Sequence, residues 1–168
     1  LHDHMSNLAL VDLPDVDSVA DWHRRSVERV LPRVDAVIWV FDPEKYADPV
    51  VHAEFLVPLA EFSEQFVFVL NKIDLLDAES LDLVKRDLIR LLAAEGHGGA
   101  PVFTLSAAPP ATEPVGIEAL RSYLSDRLDH KRMAAGKLLS DTAALIDILA
   151  VSSGTSRWDA ATVSHTIS

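Results

Sequence analysis

The chain has no cysteine in its 168 residues, so it forms no disulfide bond and no thiolate site. No apolar run approaches the roughly 18 residues that a membrane-spanning helix needs, and no signal-peptide pattern opens the chain. Basic residues are scarce, 15 against 26 acidic ones, and the net charge of −11 disfavours a nucleic-acid partner. A cytoplasmic protein is the expectation.

Apolar residues make up 49% of the chain and charged residues 24%, which suits one domain with a sizeable core. Short apolar runs predict buried strands at 7–12, 35–42, 66–70 and 101–107. Helical spacings between them predict helices at 18–34, 50–65, 80–96 and from 116 toward 149, with Pro58 kinking or splitting the second. This alternation indicates an α/β fold with a mostly parallel sheet flanked by helices.

Polar residues stand where the predicted strands end, which is where open α/β sheets bind ligands. The quartet Asn71-Lys72-Ile73-Asp74 follows strand 66–70 directly, and Ser106-Ala107 ends the last strand. Asp12 ends strand 7–12, where it either holds Mg²⁺ beside a nucleotide or only precedes a turn into a capped helix. Trp39 is expected in the core. The histidines at 2 and 4 are read as solvated, because no further metal ligand is positioned beside them.

The ordered set of these motifs resembles the G domain of the translation-factor-related GTPases, especially the Era-like and dynamin-like bacterial branch. The resemblance covers about residues 7–129 and implies a P-loop NTPase-like fold that binds GTP or GDP. It implies that the Asp74 carboxylate selects guanine, while Asn71 and Lys72 frame the base. It also implies that the backbone N–H of Ala107 meets the guanine O6, with Ser106 steadying that loop.

The phosphate side departs from the family pattern. The resemblance implies that Asp12 holds Mg²⁺ through water, but the acid-x-x-glycine motif reads Asp12-Leu13-Pro14-Asp15. The Asp15 N–H is still placed for the γ-phosphate, although its carboxylate adds charge there. Val16 stands where Ras-like members place a water-orienting Gln, so slow hydrolysis is expected and the catalytic residue is unknown.

The phosphate loop itself, Gly-x-x-x-x-Gly-Lys-Ser/Thr, does not occur, and all six glycines lie from Gly96 onward. In the family this loop follows a strand that lies between the strands predicted at 7–12 and 35–42. The expectation is that a strand, the loop, its helix and switch I precede Leu1 in a longer protein. The alternative is that another chain or segment fills the gap.

These features divide the chain into a partial G domain, 1–129, and a helical extension with a flexible tail, 130–168. The leading hypothesis is a slow GTPase switch. The alternative is a non-catalytic G-like module that binds a protein partner. The basic residues of the helix around 127–137 are read as a solvated surface or as a contact with an anionic membrane or a protein, which would make the protein membrane-associated. They are Arg127, Lys131, Arg132 and Lys137.

Overall fold

The charge-free run Phe-Val-Phe-Val-Leu forms the central strand of a parallel sheet in this computed structural model, which describes residues 9–13, 27, 29–110 and 112–152. The strands are β1 (Val37–Phe41), β2 (Phe66–Leu70) and β3 (Val102–Thr104), and they lie in the order β1-β2-β3. Both neighbours pair with β2 in parallel. The predicted α/β fold is confirmed, and the arrangement is compatible with a P-loop-like fold.

Helical segments connect the strands. They are a 3₁₀ turn at Leu31–Arg33, helix α1 (Pro49–Val51) with a π-helical turn at His52–Leu56, a 3₁₀ helix at Ala60–Gln65, a 3₁₀ turn at Ile73–Leu75, helix α2 (Ala78–Ala94) and helix α3 (Ile117–Ser152). The helix predicted at 50–65 is split near Pro58, as expected for a residue without an N–H group. Asp77 caps the start of helix α2 and accepts from the Ser80 N–H at 2.7 Å. The helix ends at Ala94, and Gly96 follows at φ +93°.

Alternate side chains of β1 and β2 build the main core. Trp39 is buried as predicted and makes edge-on ring contacts with Phe55 and Phe66, at centroid distances of 6.3 and 5.7 Å. Residues from the segments on that face complete the cluster: Val27, Leu31, Val51, Phe55, Leu56, Leu59, Leu88 and Leu92. Val67 and Val69 point to the opposite face and are also buried. The central strand is therefore covered on both sides, as its uninterrupted apolar sequence predicts.

The prediction of a strand at 7–12 is wrong for residues 9–12, the part that the structure describes. Residues 9–12 have no regular structure, and Leu10 and Val11 are 78% and 68% exposed. A strand needs a neighbour for its backbone N–H and C=O groups. None of the described strands pairs with this segment, because β1 pairs only with β2 in the described sheet. Leu13 alone packs against the core.

The chain falls into two compact units, Leu1–Leu124 and Ser125–Ser168. The first holds the sheet. In the second, the described residues 125–152 are helical, and many apolar side chains are exposed: Met133, Leu138, Leu139, Leu145, Ile146, Ile148 and Leu149. No helix of the described residues is both long enough and apolar enough to span a bilayer. The predicted tail beyond residue 152 lies outside the described residues.

Candidate functional site

The carboxyl ends of the three strands meet at one edge of the sheet. Beyond β1 and β2, the Asn71 N–H donates to the Phe41 carbonyl at 2.8 Å. Beyond β3, the Leu105 N–H donates to the Leu70 carbonyl at 2.9 Å, and the Ile73 N–H donates to the Leu105 carbonyl at 3.3 Å. These backbone bonds continue the parallel ladder past the ends of the strands, so the loops that follow β2 and β3 are held side by side.

Side chains then join these two loops. The Ala107 N–H donates to the Asn71 side-chain oxygen Oδ1 at 3.1 Å, and the Ser106 hydroxyl donates to the Asp74 Oδ1 in a short contact. Ser106 is only 3% exposed, whereas Asp74 is exposed. The second oxygen of Asp74, Oδ2, has no hydrogen-bond partner among the described residues. The loops therefore present a fixed carboxylate to solvent.

Lys72 turns the chain between Asn71 and Asp74. Its φ of 56° lies in the left-handed region, which residues other than glycine seldom adopt, and the 3₁₀ turn Ile73–Leu75 follows at once. The Lys72 side chain is 56% exposed and its Nζ lies 3.3 Å from the Asp42 Oδ2. The lysine head therefore lies over the end of β1, beside the loop that carries Asp74.

Asp42 is the first residue after β1, and its carboxylate is held by several donors. Its Oδ1 accepts from the backbone N–H groups of Glu44 at 3.1 Å and Lys45 at 3.0 Å. Partial burial raises the pKa of Asp42, but the hydrogen bonds from Lys72, Glu44 and Lys45 outweigh it and hold that pKa below its ordinary value of 3.8. The group is a carboxylate at neutral pH.

An isolated antiparallel β-bridge holds Ser106 in place. Ser106 and Val115 exchange two backbone hydrogen bonds of 3.0 Å each, which closes the loop 107–114 at its base. Gly116 follows at φ +80°, and a Cβ built on it would lie 2.3 Å from the Thr104 carbonyl oxygen. Only glycine allows the chain to pass this close to the end of β3.

The residues predicted to read guanine are thus placed together: Asn71, Lys72, Asp74, Ser106 and Ala107. The residues predicted to bind phosphate and metal are not brought to this site in the described part of the chain. Asp12 is exposed in a segment without regular structure, and Pro14 and Asp15 lie outside the described residues. The described residues contain no group of three or more His, Asp or Glu side chains that could hold a metal ion, so the role of Asp12 toward Mg²⁺ stays a prediction.

Sequence reasoning missed two supporting residues. Asp42 ends a strand at the same sheet edge as Asn71, and this position could have revealed it. Gly116 gave a weaker signal, because a glycine before a helix is common and its close approach to β3 appears only in three dimensions.

Comparison with known proteins gives one distant similarity. No family model matches the chain. An alignment of 110 residues, 61% of this chain, is 29% identical to "Probable transmembrane GTPase FZO-like, chloroplastic" of Arabidopsis thaliana. It covers only 12% of that relative. The similarity supports a distant relationship to GTPases. It does not single out the bacterial or Era-like branch, so that assignment stays a prediction.

Proposed function

We propose that this chain is the base-reading part of a guanine-nucleotide-binding protein that works as a slow GTPase switch. The observation that carries the proposal is the pair of hydrogen bonds that joins the two motif loops, Ala107 N–H to Asn71 and Ser106 hydroxyl to Asp74. The similarity to a GTPase named FZO-like supports the same ligand class.

The chemistry of Asp74 explains why guanine fits. Guanine carries two adjacent donors, the N1–H and the exocyclic amine, and a carboxylate has two oxygens that accept side by side. The Asp74 Oδ1 also accepts from the Ser106 hydroxyl, and an ionised oxygen has lone pairs for both donors. Adenine has no donor at N1. It would leave the carboxylate poorly paired and bind far more weakly.

The other residues of the site have complementary roles. The Asn71 oxygen accepts from the Ala107 N–H at 3.1 Å, which fixes the loop that is expected to face the guanine O6. Because a backbone N–H is a single donor, guanine O6 must share it with Asn71 or replace Asn71 as its acceptor when the base binds. The aliphatic stem of Lys72 can cover one face of the base. Phosphate binding is assigned to Asp12, Pro14, Asp15 and groups outside the described residues. When Mg²⁺ is bound with the phosphates, it neutralises their charge.

The test is nucleotide binding by the full-length natural protein. Fluorescent GDP and ADP are titrated in the presence of Mg²⁺ against wild type and Asp74→Asn. The variant should lose about 10-fold or more in GDP affinity, because one to two charged hydrogen bonds of about 1.5–3 kcal/mol each disappear. It should gain affinity for xanthosine diphosphate, whose base has a carbonyl where guanine has the amine.

Asp77→Asn is the matched control. Asp77 lies three residues further on, is exposed, and only caps α2 through the Ser80 N–H, a role that Asn fills equally well. It should leave both affinities unchanged. If the wild-type protein binds GDP and ADP equally weakly, the proposal is wrong. The chain would then be better described as a G-like module for a protein partner.

A further inference from the structure

We propose that Asp42 is a positioning residue of the base-reading site, which holds Lys72 in the direction needed to cover the bound base. This inference rests on the proposed function and extends it. Neither the motif pattern nor the similarity to known proteins assigns a role to Asp42.

The register of the sheet places Asp42 beside the quartet. Phe41 pairs with Leu70 across β1 and β2, and the Asn71 N–H donates to the Phe41 carbonyl at 2.8 Å. The residues that follow the two strands, Asp42 and Asn71, are therefore held at a fixed separation. This arrangement is set by the backbone, so it does not depend on the side chains that it brings together.

The two carboxylate oxygens of Asp42 have separate tasks. Oδ1 accepts from the Glu44 and Lys45 N–H groups at 3.1 and 3.0 Å and so fixes the carboxylate to its own turn. Oδ2 faces the Lys72 Nζ at 3.3 Å. The carboxylate is thus anchored on one side before it attracts the lysine on the other. An anchored partner restrains the lysine head more than a freely rotating one would.

Lys72 needs such a restraint because it is long, exposed and set on an unusual backbone. Its side chain has four rotatable bonds and is 56% exposed, so without a partner it would sample many rotamers in water. Its backbone, at φ 56°, is in the left-handed region that residues other than glycine seldom adopt. With the head held over Asp42, the aliphatic stem is ordered before the base arrives, which reduces the entropy lost on binding.

The test measures GDP dissociation from the full-length natural protein for Asp42→Asn, Lys72→Gln and the double variant. Asp42→Asn keeps an oxygen for the turn but loses the charge that faces Lys72. GDP should leave about 2–5 times faster from Asp42→Asn, as expected for a partly exposed ion pair. In the double variant the Asp42 change should have no further effect beyond Lys72→Gln, because the two residues act through each other. The effect should shrink as salt is raised.

Asp48→Asn is the control, since Asp48 accepts from the Val50 N–H at 2.8 Å and caps α1 without contacting the site. It should leave the dissociation rate unchanged. A wild-type protein that binds GDP, with an Asp42→Asn variant that releases it at the wild-type rate, overturns the role of Asp42 and leaves the proposed function standing. A wild-type protein with no preference for guanine overturns both.

A second readout needs no nucleotide. Carbon-13 NMR of the Asp42 carboxyl group should give a higher pKa in Lys72→Gln than in wild type, because the Lys72 hydrogen bond and charge lower that pKa. An unchanged pKa would show that the pair does not form in solution, which contradicts the inference directly.

Discussion

Gly116→Ala should damage both the stability and the base-reading loop, because Gly116 lies where β3 and its following loop come closest. A Cβ at this position would lie 2.3 Å from the Thr104 carbonyl oxygen, 2.9 Å from the Leu105 Cβ and 3.0 Å from the Leu105 Cα. The nearest atom belongs to the backbone of the sheet, so it cannot rotate away as a flexible side chain could. The chain at 115–116 must therefore move.

The expected loss has two parts. A left-handed φ of +80° disfavours Ala by about 1–2 kcal/mol, from which about 0.4–1 kcal/mol is recovered because Ala has less freedom than Gly in the unfolded chain. Steric overpacking against a fixed backbone adds about 1–3 kcal/mol. The sum is about 1–5 kcal/mol, which is a large share of a free energy of unfolding of about 5–15 kcal/mol.

Urea denaturation followed by tryptophan fluorescence, to which the buried Trp39 contributes, measures this loss. Gly99→Ala is the control, since nothing lies within 4 Å of a Cβ there and its φ is not left-handed. It should be neutral or slightly stabilising. Because the shift at Gly116 pulls on the Ser106–Val115 bridge, GDP affinity should also fall. A Gly116→Ala variant as stable as Gly99→Ala would refute the close approach.

Further predictions concern three side chains away from Gly116. Lys72→Gly should be more stable than Lys72→Ala by about 0.5–1 kcal/mol in urea denaturation, because glycine adopts a φ of 56° without steric cost. Equal stabilities would contradict backbone strain at Lys72. Glu95→Ala should lower the free energy of unfolding by about 2–4 kcal/mol in the same assay, because the Glu95 oxygens lie 2.7 and 2.8 Å from the Nδ1 of buried His52. A loss under about 1 kcal/mol would show that this pair is unimportant for stability. Burial and the hydrogen bond to Asp87 raise the pKa of Tyr46 above its ordinary 10.0. The neutral Tyr46 side chain therefore contributes to the free energy of unfolding in full below pH 10, and this contribution is lost as pH rises through the pKa of the folded state. Tyr46→Phe should abolish this alkaline decline in urea titrations from about pH 8 to 11, and an unchanged decline would assign it to other groups.

The sheet and the base-reading edge were open to prediction because their causes are local. Strand β2 follows from five consecutive apolar residues, and all of them are buried. The meeting of Asn71 with Ala107 follows from parallel strands, whose carboxyl ends share one edge whatever the intervening helices do. The break near Pro58 follows from the missing N–H group of proline. The π-helical turn His52–Leu56 before it was not predicted from the sequence.

The errors have non-local causes. The run at 7–12 has the composition of a strand, but a strand forms only against a partner, and composition does not reveal whether the partner is present. The described residues 9–12 accordingly have no regular structure. The basic surface predicted at 127–137 stays a prediction, and helix geometry bears on it. At about 100° per residue, positions 127, 131, 132 and 137 are spread around a helix, so α3 does not gather them on one face. Lys137 is also paired with Asp141 at 3.2 Å.

The site also separates specificity from affinity. Most hydrogen bonds that shape the two motif loops come from residues at the ends of β1, β2 and β3, with Val115 closing the second loop, and residues 9–13 contribute none of them. Two charged hydrogen bonds to guanine supply about 3–6 kcal/mol, which is no more than the cost of immobilising a ligand. In the proposed function, base contacts alone would therefore choose guanine over adenine without holding it tightly. Under the proposed function, tight binding would come from contacts to the phosphates. The proposal therefore assigns the choice of nucleotide to Asp74 and the lifetime of the complex to the phosphate-binding groups.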